Sequence, residues 1–234
     1  MHPSEQPLIS VVVPSFNAAE FLPSALETIR AQRYANLEVM VVDDGSTDGT
    51  AAVVRQWPEV RYIRQENAGP SAARNAGIAA ASGEILGFLD ADDRWTEDHL
   101  QHLLPALLSD PKWAFVWVAS KVIRLCRQAD GSRMEQVLHE SQSQFLIGSG
   151  LYRRTAFELV GPFDPAMRFA EDVDWVATAR QRGVAYRQIP EIVLTYYKHE
   201  GGMTNGKTFR ELNVMTALRR SISRHRDRAA SANS

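Results

Sequence analysis

Short apolar runs alternate with stretches of helical periodicity over the first hundred residues of this chain. The run at 8–13 is rich in β-branched residues and, like the run at 37–42, predicts a strand buried on both faces. Residues 61–64 predict a short third strand, and 84–89 predict a fourth. Between them, apolar or small residues recur at helical spacing, which predicts helices over 18–32, 47–57 and 70–81. This order is typical of an α/β protein with a Rossmann-like, mostly parallel sheet and helices on both faces.

The pattern loosens after Trp95 but still predicts regular elements. We expect helices over 96–108, 153–160 and 171–182, and strands over 113–125, 184–189 and 192–197. A last amphipathic helix over 209–228 is basic. Since no clear linker divides the chain, we expect one domain over 1–208 with halves at 8–95 and 96–208, followed by a basic helix and tail over 209–234.

Composition excludes several classes of protein. The 234 residues are 44% hydrophobic, enough for a sizeable core, and the net charge of −2 gives no basic field that would recruit nucleic acid. No run approaches the length of a membrane helix, and the run at 8–13 is too short for a signal peptide, so we expect a cytoplasmic protein. The helix at 209–228 either packs on the domain or docks peripherally on the inner membrane face.

The candidate chemistry begins with three acids in four residues. Asp90-Ala91-Asp92-Asp93 directly follows the predicted strand at 84–89. The carboxyl ends of parallel strands are where such sheets bind ligands. Oxygen ligands in this position favour a hard divalent cation, magnesium or manganese, which normally keeps coordination positions for substrate phosphates.

Each of the other polar clusters admits two interpretations. The run Asp43-Asp44-Gly45-Ser46-Thr47-Asp48 is either a strand-to-helix turn or a ligand-binding loop. Arg74 belongs either to a solvated helix face or to a phosphate or base site. Glu171 and Asp172 either complement a helix dipole or provide a general base. His199, before Gly201 and Gly202, is either structural or part of a mobile loop over a ligand.

The order of these motifs carries a resemblance to a known family. The motifs of the first half are Val11-Val12-Val13-Pro14-Ser15-Phe16-Asn17, Asp43-Asp44-Gly45-Ser46-Thr47-Asp48, the run from Asn67 to Gly77, and Asp90-Ala91-Asp92-Asp93. Those of the second half are Gly148-Ser149, Arg153-Arg154, Gly161-Pro162-Phe163-Asp164 and Glu171-Asp172. The ordered set resembles the family 2 glycosyltransferases over residues 8–202.

The resemblance implies a GT-A fold, with a nucleotide-sugar-binding half over 8–95 and an acceptor-binding half over 96–208. It also implies inverting transfer of a sugar from a nucleotide-diphosphate sugar, with Mn²⁺ or Mg²⁺ on the diphosphate. Uridine is the base that the family favours, while thymidine and guanosine stay open. The acceptor stays open among a saccharide, a lipid-linked glycan, a peptide side chain and a small molecule.

The resemblance also implies roles for individual residues. Asp172 matches the catalytic base, beside Glu171. Asp92 matches the direct metal ligand, with Asp90 and His199 close to the metal. The ring of Phe16, a position where the family often has tyrosine, matches the group that stacks on the nucleotide base. The remaining residues expected to contact substrate are Pro14, Asn17, Glu20, Asp43, Asp44, Arg74, Ala91, Gly148, Ser149, Trp175 and Lys198.

Two other functions stay in view. A nucleotidyltransferase also uses metal and phosphate on an α/β sheet, but it usually has a glycine-rich loop with a basic residue after the first strand, where this chain has Pro14-Ser15-Phe16-Asn17. A sugar-nucleotide-binding module without activity is expected to lack Asp92 or Asp172, and both are present. Inverting transfer therefore accounts best for the two separate acid clusters.

Overall fold

The computed structural model describes residues 6–128, 130, 132–141, 145–203, 205, 207, 212 and 220. The strands are β1 (Ile9–Ser15), β2 (Leu37–Asp43), β3 (Val60–Arg64), β4 (Ile85–Phe88), β5 (Arg94–Trp95), β6 (Phe115–Arg127), β7 (Arg133–Ser141), β8 (Gly150–Arg153) and β9 (Tyr186–Lys198). The helices are α1 (Leu22–Arg30), α2 (Thr50–Val54), α3 (Pro70–Ala80), α4 (His99–Leu108), α5 (Arg154–Val160) and α6 (Glu171–Gln181), with a 3₁₀ turn at Ile147–Ser149.

The described strands form one sheet in the order β3-β2-β1-β4-β8-β6-β9-β5, with β7 paired to β6. The first four are mutually parallel, as predicted. The rest of the sheet is mixed, because β8 runs antiparallel to both β4 and β6 while β9 runs parallel to β6. Ser15 lies opposite Asp43 in the β1–β2 register, so the loops after β1 and β2 leave the sheet side by side.

Helices cover both faces of the sheet, and each face has its own apolar core. On one face α1 and α4 bury Leu22, Leu26 and Leu103 against alternate residues of β1. On the other face α3, α5 and α6 pack on Val12, Met40 and a cluster of aromatic rings. Alternation of side chains along each strand produces this division. Gly77 of α3 allows the helix to approach β1 closely, since a Cβ there would overlap Val12.

Several boundaries differ from the sequence predictions, among them that of α2, which spans Thr50–Val54 instead of 47–57, and two of the differences have identifiable reasons. Helix α1 begins at Leu22 instead of residue 18, because the backbone of the preceding turn bonds to the loop after β2. Ala18 N donates to Thr50 Oγ1 at 2.9 Å, and Ala19 N donates to Asp48 Oδ2 at 3.0 Å. The two late strands predicted on either side of Pro190 are one strand, β9, whose register against β6 shifts between Ile189 and Ile192.

Strand β7 was not predicted. It forms a long hairpin with β6, and the chain turns through Gln128 and Ser132, joined by a backbone hydrogen bond of 2.8 Å. No helix of the described part of the chain is both long enough and apolar enough to cross a bilayer. The predicted helix at 209–228 lies outside the described residues apart from Leu212 and Arg220, so its packing and its membrane contact stay predictions.

Candidate functional site

One buried arginine joins the two halves of the chain. Arg74, on α3, is 4% exposed, and its guanidinium donates to Asp90 Oδ1 at 2.6 Å and to Glu171. Asp90 follows β4, whereas Glu171 is the first residue of α6. Burial by itself would lower the pKa of Arg74, but the charges of Asp90 and Glu171 raise it above its ordinary value. The structure thus brings the two predicted acid clusters to opposite sides of one guanidinium.

Asp172 lies beside this network at the amino-terminal end of α6. The helix starts after Ala170, whose φ of 57° is left-handed, an uncommon conformation for alanine. Asp172 Oδ1 accepts a hydrogen bond from Val173 N at 2.8 Å. Burial of the carboxyl and the negative charge of Glu171 raise the pKa of Asp172 to about 7, although Arg74 opposes the shift. A carboxyl with this pKa can exchange a proton near neutral pH.

Asp92 and His199 meet across the same edge of the sheet. His199 Nε2 lies 3.0 Å from Asp92 Oδ2, and the imidazole packs against the ring of Phe21 with a centroid separation of 4.3 Å. Neighbouring Asp93 is buried and accepts a hydrogen bond from Tyr197 N at 2.9 Å. Burial, followed by the charges of Asp92 and Asp90, raises the pKa of Asp93 well above its usual range. These contacts attach the end of β9 to the acid cluster.

Asp43 ends β2 and Asp44 follows it, and their carboxylates accept hydrogen bonds from different partners. Asp43 accepts hydrogen bonds from Ser46 N at 2.7 Å, from Arg64 at 3.1 Å and from the Tyr62 hydroxyl. Although burial opposes its ionisation, these bonds lower the pKa of Asp43. Tyr62 and Arg64 are alternate residues of β3, so strand periodicity could have placed them on one face together.

Asp44 organises the entry to α3. Its carboxylate accepts hydrogen bonds from Ala68 N and Gly69 N, both at 2.8 Å, and from the Gln65 side chain at 2.7 Å. Gly69 has a φ of 91°, which favours glycine, and Pro70 then begins the helix that carries Arg74. Asp44 therefore holds the loop that positions the arginine, and its contact with substrate stays a prediction.

The loop after β1 presents an exposed aromatic ring, that of Phe16. Pro14 is buried within β1 opposite Val42, whereas Phe16 is 51% exposed. Asn17 adopts a left-handed φ of 48°, and its side-chain oxygen accepts a bond from Thr47 N at 2.8 Å. Glu20 forms an ion pair with Arg133 of β7. The exposed Phe16 ring is thus free of the core and lies next to the loop that carries Asp43 and Asp44.

The residues expected to contact substrate in the second half mostly make structural contacts. Gly148 accepts a 2.9 Å hydrogen bond from Trp95 Nε1 through its carbonyl, and the Ser149 hydroxyl donates to Leu146 O at 2.6 Å. Trp175 is buried and donates from Nε1 to Gly161 O at 2.9 Å. Buried Ala91 separates the two Asp-X-Asp carboxylates, and Lys198 is exposed at the end of β9. Contacts of these residues with substrate stay predictions.

The donors at the Asp92–His199 pair fit a divalent cation of the magnesium or manganese type. A carboxylate and an imidazole 3.0 Å apart are spaced as neighbouring ligands of one ion can be. The described part of the chain brings together no group of three such side chains that would form an all-protein metal site. Magnesium-type sites normally use one or two carboxylates and complete their coordination with substrate phosphates and water, so this donor set suits an ion that arrives with a diphosphate.

Sequence reasoning missed Arg133 and Phe21. The Arg133 guanidinium lies 4.6 Å from the centre of the Phe21 ring, and the same ring packs against His199. Nothing in the local sequence around Arg133 indicated that this segment reaches the loop after β1, which is over a hundred residues earlier.

Comparison with known proteins identifies a family whose sequence profile this chain matches. The sequence profile described as "Glycosyl transferase family 2" matches residues 10–161. Among curated relatives, the uncharacterized glycosyltransferase EpsJ of Bacillus subtilis is 27% identical over 217 residues, which is 85% of this chain and 63% of EpsJ. The succinoglycan biosynthesis protein ExoO of Rhizobium meliloti is 30% identical over 231 residues, 90% of this chain and 66% of ExoO. The chain thus spans just under two thirds of the length of these relatives.

Solved structures show the same fold. S. aureus TarS 1–349 in complex with UDP-GlcNAc superposes with a TM-score of 0.69 at 20% identity, covering 86% of this chain and 61% of that one. The mannosyltransferase PcManGT from Pyrobaculum calidifontis, in complex with GDP-Man and Mn²⁺, gives a TM-score of 0.67 at 24% identity and covers 86% of this chain and 59% of that one. The GT-A fold expected from the motifs is therefore confirmed.

Proposed function

Because the chain belongs to glycosyl transferase family 2, we propose that it transfers a sugar from a nucleotide-diphosphate sugar to an acceptor hydroxyl. The first candidate donor is a UDP-sugar, and the transfer inverts the configuration of the anomeric carbon. Membership of the family supports the class of reaction. The complexes of the structural neighbours with UDP-GlcNAc and GDP-Man support a nucleotide sugar as the donor class.

The observation that carries the proposal is the contact of Arg74 with both Asp90 and Glu171. Through it the proposed metal-binding segment Asp90-Ala91-Asp92 and the segment of the proposed base, from different parts of the chain, come together at one guanidinium. Single displacement needs this arrangement, because the base must lie on the side of the sugar opposite to the departing diphosphate. The leaving group needs no protein acid, in contrast with the paired carboxylates of glycoside hydrolysis.

Asp172 is the proposed general base. Its carboxylate accepts the proton of the acceptor hydroxyl while the oxygen attacks the anomeric carbon, and the bond from that carbon to the diphosphate breaks. The pKa of about 7 is close to the value at which a base is both deprotonated and basic enough to work in neutral solution. Glu171 contributes the negative charge that helps to raise this pKa, and it holds Arg74.

On the donor side, the half-exposed ring of Phe16 is the proposed stacking surface for the nucleotide base. Asp92 and His199, with Asp90 held by Arg74, are the proposed residues that hold the divalent cation. When bound, Mn²⁺ or Mg²⁺ supplies Lewis-acid stabilisation of the charge that develops on the departing diphosphate. Asp90, whose carboxylate is shared with Arg74, orients the segment that presents Asp92.

The direct test combines binding and turnover. Thermal shift with UDP, GDP and dTDP in the presence of Mn²⁺ identifies the base, because a ligand that binds only the native state raises the melting temperature. Incubation with the matching nucleotide sugars then should release the nucleoside diphosphate in the presence of acceptor. Asp172→Asn is expected to bind the nucleotide normally and to lose transfer. Release of pyrophosphate instead of nucleoside diphosphate, or full transfer by Asp172→Asn, would contradict the proposal.

A further inference from the structure

The end of the β6–β7 hairpin, defined here by Arg127, Arg133 and Glu135, reaches across the molecule to the loop after β1. Arg133 forms an ion pair with Glu20, and Arg127 lies 3.8 Å from the same carboxylate. Within the described residues, β7 pairs only with β6, so these side-chain contacts of the hairpin end are additional to the pairing of the sheet.

Arg133 also takes part in a stack of three side chains. Its guanidinium lies over one side of the Phe21 ring at 4.6 Å, and the imidazole of His199 packs on Phe21 with centroids 4.3 Å apart. Cations over aromatic rings attract the ring electrons, and the planar guanidinium stacks well on them. His199 Nε2, at the end of this stack, lies 3.0 Å from Asp92 Oδ2.

The same hairpin end also restrains the backbone next to His199. The Tyr197 hydroxyl donates to Glu135 at 3.2 Å, and Tyr197 N donates to Asp93 at 2.9 Å. Phe21 packs in a small apolar cluster with Ile123, Leu125 and Tyr197, which fixes the ring between hairpin and β9. In its own segment, His199 is followed by a turn in which Gly202 N donates to His199 O at 3.0 Å, and the side chains that contact the imidazole come from other segments.

We propose that Arg133 is a positioning residue for His199. It holds Phe21 against the imidazole, so that His199 and Asp92 already have their binding arrangement when the divalent cation and the donor arrive. The inference rests on the proposed function, in which His199 and Asp92 hold that cation. Side chains that orient metal ligands from behind commonly contribute 10- to 100-fold to metal affinity. Since the Arg133 side chain is 32% exposed, we expect an effect at the low end, about tenfold.

The binding test measures uptake of Mn²⁺ in the presence of UDP by the loss of the free-ion electron paramagnetic resonance signal. Arg133→Met, which keeps bulk and removes charge, is expected to weaken uptake about tenfold, whereas Arg133→Lys retains most of it. Met134→Ala is the matched control, because Met134 is the next residue, points to the other side of the strand and is 50% exposed. Equal uptake by Arg133→Met and wild type would overturn the inference.

A double-mutant cycle separates positioning from direct binding of the diphosphate. If Arg133 acts through His199, Arg133→Met has no further effect in a His199→Ala background. A second loss of the same size in that background would show that Arg133 contacts the ligand itself and would overturn the inference. Uptake unchanged by His199→Ala alone would overturn it as well, together with the proposed metal ligands.

A metal-free measurement distinguishes failure of the positioning role from failure of the proposed function. With histidine labelled for nuclear magnetic resonance, Arg133→Met should shift the His199 ring signals, since the ring would lose its fixed place beside Phe21, whereas Met134→Ala should leave them in place. Unchanged signals in Arg133→Met would refute the positioning role. Shifted signals in a protein that takes up no Mn²⁺ with UDP would support positioning and refute the proposed function.

Discussion

The pH dependence of transfer tests the proposed base most directly. Because Asp172 must be deprotonated to accept a proton and its pKa is about 7, kcat/KM should rise with pH up to about 7 and level off above it. One pH unit below the pKa, about one tenth of the molecules have the active carboxylate. Wild-type activity at pH 6 should therefore be about one tenth of the plateau.

Glu171→Gln shifts this profile in a direction set by the structure. The substitution removes the negative charge that, after burial, raises the pKa of Asp172, and it leaves an oxygen to accept from Arg74. At an effective dielectric constant of about 20, Coulomb's law gives about 4 kcal/mol for two unit charges about 4 Å apart and about half of that at twice the distance, and solvent screening reduces both, so we expect a shift on the order of one pKa unit. A downward shift of about one unit would raise the pH 6 activity from about one tenth to about one half of the plateau.

The assay is release of nucleoside diphosphate at low donor concentration between pH 5 and 8.5, where kcat/KM reports the free enzyme. Glu158→Gln is the control, because Glu158 is exposed on α5, and its profile should match the wild type. Thermal unfolding at pH 8 checks that Glu171→Gln keeps the fold. If kcat/KM of Glu171→Gln rises at the same pH as that of the wild type, or at a higher pH, the reasoning is refuted. A wild-type kcat/KM that does not change with pH would refute it as well.

Three further predictions use other parts of the structure. Asp172→Asn should raise the melting temperature by several degrees at pH 8 and by little at pH 4. Folding raises the pKa of the Asp172 carboxyl, so its contribution to stability is complete below the pKa of the unfolded chain and is lost as pH rises through about 7. An equal difference in melting temperature at both pH values would contradict this. Phe16→Ala should weaken nucleotide binding by about 1–3 kcal/mol in calorimetry, with Phe16→Tyr retaining it, because stacking needs only the ring; undiminished affinity in Phe16→Ala would exclude base stacking there. Gly77→Ala should lower the free energy of unfolding by about 1–3 kcal/mol in denaturant titration, because a Cβ at this position overlaps Val12. Gly49→Ala should lower it less, because a Cβ there meets Ala19 at 3.6 Å, and equal losses in the two variants would refute the close approach of α3 to β1.

The sequence was sufficient for the parts of the fold that local pattern determines. Strands β1 and β2 were predictable because each is a short run rich in β-branched residues, and the helices because apolar residues recur at helical spacing. The single strand β9 was not, because Pro190 normally ends or borders a strand, and only the register shift against β6 accommodates it. Strand β7 escaped prediction because its exposed residues, Met134 and Val137 among them, give no alternation of apolar and polar positions.

The candidate site shows the same division between local and distant information. Motifs predicted that acids gather at the carboxyl ends of the strands, but not what each acid contacts. Arg74 and Glu171 are 97 residues apart, so no local pattern could show that the arginine expected to bind a nucleotide is buried between two carboxylates. Because the Arg74 guanidinium forms ion pairs with Asp90 and Glu171, its positive charge holds these two carboxylates in place. The same charge opposes the rise in the pKa of Asp172. Loss of Arg74 would therefore affect the metal side and the base side of the cleft together, which a ligand of the nucleotide alone would not do.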